Sequence, residues 1–165
     1  LLRSQYQQKK WAEAVGNAQE LLKEKNTSVD DKVLAYMVTA RADQDKGAFT
    51  EAIRNFRNVV SINKASFAAE ARYEIASCYY SLNDLKNADK AAFETINKSG
   101  SYDFWITRAY ILLGDIYFKE KDYFNAKATL QSVVDNSRTT ELKNEAAEKL
   151  RTVIDAEKAE SKIAG

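Results

Sequence analysis

The residue types that carry out catalysis are scarce in this sequence. Histidine, the commonest general base and metal ligand, is absent, and the five glycines are isolated, so they form no glycine-rich phosphate loop. Carboxylates are spread along the chain, which is typical of a solvated surface. The single cysteine, Cys78, cannot form an internal disulfide, and we expect a buried structural thiol rather than a nucleophile. We therefore predict that the protein is not an enzyme and needs no metal or cofactor.

The overall composition predicts helices joined by short polar loops. Proline is absent from the 165 residues and glycine is rare, whereas sheet proteins need more turn residues than this. A net charge of +1 argues against a nucleic-acid surface, which normally shows a basic excess. No run approaches the roughly 18 apolar residues of a membrane span. We expect protein or peptide partners, not nucleic acid.

One segment recurs about four times along the chain. The stretches that begin at Ala69 and Thr107 match in kind over about 24 residues, a weaker copy begins near Val33, and a truncated copy starts at Leu1. The spacings between the three clearer copies are 36 and 38 residues. A repeat of this length predicts stacked helical hairpins, because no single unit can bury its own apolar face.

Apolar residues recur at helical spacing throughout, and polar breaks divide them into nine predicted helices. We expect Ser28, Ser66 and Ser101 to cap three of them, and Gly100 to end one in the left-handed conformation. The last helix should carry one apolar stripe and end in a frayed tail from Ser161 onward.

These repeats resemble the tetratricopeptide repeat family. The fourth unit matches its pattern of large, small and aromatic residues most closely, through Tyr110, Leu113, Gly114, Tyr117, Asp122, Tyr123 and Ala126. The family's usual proline after the second helix is missing. Longer, proline-poor units of this kind are similar to those of bacterial periplasmic and outer-membrane-associated scaffolds, which suggests that compartment, although a lone cysteine also fits the cytoplasm.

The resemblance implies an all-α, right-handed superhelix (an α-solenoid) of hairpins closed by a C-terminal capping helix. We expect residues 1–165 to form a single array. Its predicted parts are a truncated first unit (1–26), a second (28–64), a third (66–99), a fourth (101–136) and the capping helix (139–160). Because Leu1 falls inside a repeat, we expect a fragment of a longer protein.

In this family the first helices of the hairpins line a concave face, and the helical period indicates which side chains point into it. The predicted peptide-binding surface consists of Arg3, Tyr6, Met37, Arg41, Tyr73, Ser77, Tyr80, Ile111, Asp115, Phe118 and Lys119. Its apolar members form two rows, one of Met37, Tyr73 and Ile111 and one of Tyr6, Tyr80 and Phe118. The alternative is that these side chains pack in the core. Tyr102, Phe104 and Trp105 either seal the third and fourth units together or form an exposed patch.

The leading functional hypothesis is a protein–protein interaction scaffold that binds a peptide or partner helix on its concave face. A second hypothesis is structural self-assembly, in which a homo-oligomer forms through an apolar edge of the truncated first unit: Leu1, Leu2, Trp11 and Val15. A third is a regulatory domain of a larger protein.

Overall fold

The computed structural model describes residues 1–62 and 65–164. Within these ranges the chain forms nine α-helices and no strand, and helices adjacent in the chain pack against each other in order. The helices are α1 (Leu2–Gln7), α2 (Trp11–Lys23), α3 (Val29–Asp45), α4 (Phe49–Ile62), α5 (Ala65–Ser81), α6 (Leu85–Lys98), α7 (Asp103–Lys119), α8 (Tyr123–Asn136) and α9 (Thr140–Ala164). The predicted fold class, an all-α helical-repeat solenoid, is confirmed.

The turns inside the four hairpins share one backbone conformation. Each contains a single residue with positive φ, and these residues are Lys9 (56°), Gly47 (75°), Asn83 (58°) and Lys121 (62°). The same two backbone hydrogen bonds close every turn, as in the fourth hairpin, where Lys121 N donates to Phe118 O (3.0 Å) and Asp122 N to Tyr117 O (2.9 Å). The repeat is therefore present in the backbone even where the residue types differ.

Small residues allow the two helices of each hairpin to approach closely. Ala40 and Ala52, in the second hairpin, are fully buried, as are Ala76 and Ala88 in the third. In the fourth, a Cβ atom added to Gly114 would lie 2.6 Å from Cγ of Leu130, so only glycine fits against α8 without a shift. Large residues such as Phe56 and Leu113 fill the space around these contacts.

The helix caps follow the sequence only in part. Ser28 caps α3 as predicted, since its side chain accepts a hydrogen bond from Asp31 N (3.1 Å), and Gly100 has a left-handed φ of 58° after α6. The prediction for Ser66 was wrong, because α5 already includes Ala65. The prediction for Ser101 was also wrong: the turn extends one residue further and Tyr102 occupies the cap position without a side-chain bond. The joint predicted at residues 63 and 64 lies outside the described residues.

The last helix closes the apolar core and is longer than expected. Leu142, Ala146 and Val153 of α9 are buried against α7 and α8. The frayed tail predicted from Ser161 was wrong over residues 161–164, which continue the helix; Gly165 lies outside the described residues. Two hydrogen bonds hold the C-terminal part of α9 against the fourth hairpin. Lys121 donates to Glu160 Oε1 (2.9 Å), and Tyr123 donates to Glu160 Oε2.

Candidate functional site

The odd-numbered and even-numbered helices form two different layers. α1, α3, α5, α7 and α9 contact one another in succession. Within residues 1–62 and 65–164, by contrast, no Cα atom of α2, α4, α6 or α8 lies within 8 Å of a Cα atom of another of these four helices. Helices that touch on one side and are spread apart on the other produce a curved array. We call the side of the odd-numbered helices the inner face; it is the face on which the peptide-binding surface was predicted.

The first predicted row of that surface lies in the core. Met37 is fully buried beside Phe56, and Ile111 is buried beside Leu130. Tyr73 is 7% exposed, and its hydroxyl accepts a hydrogen bond from Arg108 Nη2 (3.1 Å). As these side chains are placed, a ligand could not contact Met37 or Ile111, so the packing favours the core alternative for this row.

The second predicted row is half-buried and each of its members packs on a neighbour. The ring of Tyr6 lies 4.9 Å from that of Trp11 and 5.6 Å from that of Phe67. Phe118 packs against the core under α9 and approaches Tyr123. The Tyr80 ring is covered by Lys119, whose Nζ lies 4.7 Å from the ring centroid. Tyr6 is the member of this row that borders the open cleft described below.

A charged network joins α3 to α5. Arg41 of α3 donates to Oε1 of Glu70 (2.5 Å) and to Oε1 of Glu74 (2.7 Å), and Glu74 is only 6% exposed. Tyr6 donates to the same oxygen of Glu70 (2.6 Å), and Gln44 donates to Oε2 of Glu74 (2.8 Å). Burial disfavours the charged form of Arg41, but Glu74 and Glu70 outweigh it and raise its pKa. Burial, and then the charge of Glu70, raises the pKa of Tyr6.

A second set of pairs joins α5, α7 and α9. Arg108 of α7 donates to Tyr73 of α5 and to Oε2 of Glu145 on α9 (3.0 Å). Asp115 of α7 accepts two bonds from Lys149 of α9, both of 2.9 Å. Burial raises the pKa of Asp115, and Lys149 only partly offsets this effect. Arg41 and Asp115, both predicted to contact a ligand, are thus occupied by partners within the chain.

The two remaining predicted residues lie apart from these networks. Arg3 is exposed and borders a cavity of about 230 Å³ between α1, α3 and α5, together with Asp30, Val33 and Phe67. Ser77 is half-buried on α5.

An open cleft of about 370 Å³ lies on the inner face. Its lining comes from five helices and the first turn and consists of Tyr6, Gln7, Lys9, Trp11, Arg41, Glu70 and Trp105. Tyr6 and Trp11 form one wall, Trp105 of α7 forms the other, and the Arg41–Glu70 pair lies between them. The volume falls in the range of small-ligand pockets, and the lining offers aromatic surface beside a few fixed polar groups. Of the predicted surface, Tyr6 and Arg41 are brought together here.

The predicted surface did not include five residues of this cleft: Gln7, Lys9, Trp11, Glu70 and Trp105. Trp11 was assigned to the apolar edge for self-assembly, and Trp105 either to the joint between the third and fourth units or to an exposed patch. Trp105 also contacts the core, with its ring 5.7 Å from that of Tyr73. The aromatic trio before the fourth unit therefore divides, because Tyr102 and Phe104 are exposed while Trp105 is half-buried. The sequence did contain one signal for the cleft: the chain has two tryptophans, and each lies within a few residues of a predicted helix boundary.

The apolar edge predicted for self-assembly is smaller than expected. Leu1 is exposed, but Leu2 is buried against α2 and α3, and Trp11 and Val15 are half-buried. Oligomerisation through this edge stays a prediction.

The single cysteine and the metal-ligating side chains are the remaining candidates for chemistry. Cys78 is fully buried, as expected, and burial raises the pKa of its thiol to about 12. Residues 1–62 and 65–164 contain no cluster of three metal-ligating side chains. In the same ranges, every helix is too short or too polar to cross a membrane.

Comparison with known proteins identifies one repeat. A family model described as tetratricopeptide repeat matches residues 107–140, which include most of α7, all of α8 and the first residue of α9. The resemblance recognised from the sequence is thereby confirmed for this unit, whereas the periplasmic subtype stays a prediction. No curated protein matches the chain.

Proposed function

We propose that this chain, which carries a tetratricopeptide repeat, is a protein–protein interaction scaffold that binds an extended partner segment in the cleft on its inner face. The repeat suggests the general role of a scaffold for protein partners. The observation that carries the finer proposal is the cleft of about 370 Å³ between Trp11 and Trp105.

The chemistry of the cleft indicates what such a segment should contain. Tryptophan and tyrosine provide large rigid contact areas at a small entropic cost, and they dominate the binding energy of many interfaces. Arg41 is paired with Glu70 and Glu74, and Lys9 also lines the cleft, so two cations balance two carboxylates and the cleft carries little net charge. We therefore infer that the segment inserts an apolar or aromatic side chain between the two walls.

The two tryptophans of the chain both line the cleft, so intrinsic tryptophan fluorescence reports on its occupancy. The probes are twelve-residue peptides with one central phenylalanine and matched peptides with alanine in its place. We expect the phenylalanine peptides to change the emission in a saturable manner and the alanine peptides to bind at least tenfold more weakly.

A blocking variant tests the location without removing core contacts. Gln7 is exposed at the cleft, so Gln7→Phe should obstruct it, whereas Gln19→Phe adds the same ring to an exposed position of α2 outside the cleft. We expect Gln7→Phe to abolish peptide binding and Gln19→Phe to retain it. Equal binding by both variants would show that the peptide binds elsewhere.

Self-assembly and a regulatory role in a larger protein stay predictions, as does the compartment, which is periplasmic by resemblance or cytoplasmic. Sedimentation of the wild type and of Leu1→Ser over a concentration series separates self-assembly from the scaffold role, because Leu1 is the exposed apolar residue of the predicted edge.

A further inference from the structure

A second pocket lies at the end of the fourth hairpin, and the proposed function does not use it. Its volume is about 240 Å³, and it is bordered by the first half of α7, the end of α8 and the loop of residues 137–139. Its lining includes Asp103, Thr107 and Tyr110 of α7, Asn136 of α8 and Arg138 of the loop. We call this space the α7–α8 pocket.

The third hairpin shows what fills the same place one repeat earlier. At the repeat spacing of 38 residues, Tyr110 corresponds to Arg72 of α5, and Asn136 corresponds to Lys98 of α6. Arg72 is half-buried, and its Nη1 donates to the carbonyl oxygen of Lys98 (3.1 Å). The chain therefore already binds one guanidinium group at the end of a hairpin of this kind.

The fourth hairpin keeps the acceptor but lacks the donor. Tyr110 carries no cationic group, and within the described ranges no donor forms a hydrogen bond with the carbonyl oxygen of Val134, Asp135 or Asn136. These are the last carbonyl groups of α8, which have no partner inside the helix and carry its partial negative charge. The acceptor that Arg72 uses in the third hairpin is thus available in the fourth.

The surroundings of this place are also more open in the fourth hairpin. Ser99 is 3% exposed and Ala69 is fully buried, whereas the corresponding residues Ser137 and Thr107 are only half-buried. Thr107 is the larger of its pair and is still more exposed. The difference is what we expect where a side chain fills the place in one hairpin and leaves it empty in the next.

The α7–α8 pocket also offers a counter-charge and a ring. Asp103 brings a carboxylate to it, and Tyr110, which is 38% exposed, brings an aromatic face. A guanidinium pairs with carboxylates and stacks on aromatic rings. Arg138, at the position of Gly100 in the third hairpin, opposes a bound cation, but its side chain is exposed and its charge is screened by salt.

We propose that the α7–α8 pocket binds an arginine side chain of a partner protein. Its guanidinium donates to the carbonyl oxygen of Asn136 and pairs with Asp103, while its apolar stem lies along Tyr110. The side chain is arginine rather than lysine because the third hairpin uses a guanidinium at this place, and the planar fork of donors has no counterpart in an ammonium group.

Nuclear magnetic resonance of the isotope-labelled protein tests the proposal with two matched probes, acetyl-arginine amide and acetyl-citrulline amide. Citrulline keeps the length and planarity of the arginine side chain but lacks its charge. We expect the arginine probe to shift the amide resonances of residues 137–139 in a saturable manner. The citrulline probe should bind about tenfold more weakly, since hydrogen bonds to charged groups are the stronger ones.

A blocking variant tests the location. Tyr110→Arg gives the fourth hairpin the arginine that the third hairpin has at this position, so it should fold and fill the pocket from within. Phe124→Arg is the matched control, because it also replaces an exposed aromatic ring by arginine, but at the start of α8 and outside the pocket. We expect Tyr110→Arg to abolish binding of the arginine probe and Phe124→Arg to retain it. Thermal unfolding confirms that both variants fold.

Three outcomes would overturn the proposal: no saturable shift in the wild type, equal binding of the two probes, or equal binding of the arginine probe by the two variants. Arg138→Gln adds a test of charge and should tighten binding of the arginine probe. A loss of binding in this variant would assign the pocket to an anion instead. None of the described lining residues of the pocket also lines the cleft, so this test is independent of the one on the cleft.

Discussion

The contacts inside a hairpin and the contacts between hairpins are built from different chemistry. Inside, small uncharged residues let two helices approach, as Gly114 does against Leu130. Between successive odd-numbered helices, charged side chains meet in partly buried pairs, as Arg41 does with Glu70 and Glu74. Shape therefore determines the first kind of joint, and charge pairing determines much of the second.

The largest effect should follow from breaking the charged joint between α3 and α5. Arg41→Met leaves Glu70 and Glu74 without their cation, and removing one partner of a buried pair costs about 3–5 kcal/mol in free energy of unfolding. Denaturant unfolding measures the change. The exposed Arg151→Met is the control and should change it by less than about 0.5 kcal/mol. A loss below about 1 kcal/mol in Arg41→Met would contradict a structural role for the charge at this joint.

Cys78 should report the opening of the same joint. Its thiol is fully buried, its pKa is raised to about 12 from 9.0, and Gln44 Nε2 lies 3.3 Å from its sulfur. We expect a thiol reagent at pH 8 to label the native protein only through opening. Arg41→Met should accelerate labelling by about 10²-fold or more, since each 1.4 kcal/mol is tenfold. Equal labelling rates in the two proteins would place the opening elsewhere.

Changing shape inside the fourth hairpin should have a smaller effect. Gly114→Val forces atoms into Leu130, and overpacking of this kind costs about 1–3 kcal/mol. Gly16, in α2, has open space where a Cβ atom would lie, with no neighbouring atom within 4 Å, so Gly16→Ala should stabilise the helix by about 0.5–1 kcal/mol. Thermal unfolding should therefore show shifts of opposite sign. Shifts of the same sign would mean that backbone preference, not shape, governs Gly114.

The second helices of the third and fourth hairpins, α6 and α8, each begin at a side-chain cap. Asp84 and Asp122 accept hydrogen bonds from the backbone N–H groups of Asn87 (3.2 Å) and Asn125 (3.1 Å). We expect Asp84→Ala and Asp122→Ala each to cost about 1 kcal/mol, as N-cap losses do. Asp45→Ala is the control: this residue ends α3, where negative charge opposes the helix dipole, so its removal should not destabilise. Chemical denaturation distinguishes the two classes.

The smallest effect is expected at the exposed pairs of α9. Hydrogen bonds from Tyr123 and then Lys121 lower the pKa of Glu160. A carboxylate whose pKa is lower in the folded state stabilises it above the usual pKa, and this contribution disappears as the pH falls through the folded value. Glu160→Gln should therefore lower Tm slightly at pH 7, less so at high salt, and leave it unchanged at pH 3. A deficit that persists at pH 3 would point to packing instead.

The sequence predicted the hairpins well because their interiors depend on residue size and spacing. Ala40, Ala76 and Gly114 could be identified from local pattern alone, and the structure confirms that all three are buried. The fold class followed from the same periodicity.

The inner face was harder to predict because its partners lie in neighbouring units. The helical period placed Met37 and Arg41 on one face, but it could not show that one is enclosed by the core and the other is paired with two glutamates. The cleft between Trp11 and Trp105 joins residues almost a hundred positions apart, and they are brought together by the packing of successive odd-numbered helices. The cap prediction for α7 failed for a local reason, since Ser101 lies one residue before Tyr102, which occupies the N-cap position.

The separation of the even-numbered helices leaves room for the angle between neighbouring hairpins to change. The inner helices touch, so they act as a hinge line, while the outer grooves widen or narrow as the curvature changes. The angles between successive hairpins set the distance between Trp11 and Trp105 across the cleft, so a change of curvature would change the width of the cleft. Tension on the ends of the chain would change this curvature, and with it the affinity of the cleft for a partner segment.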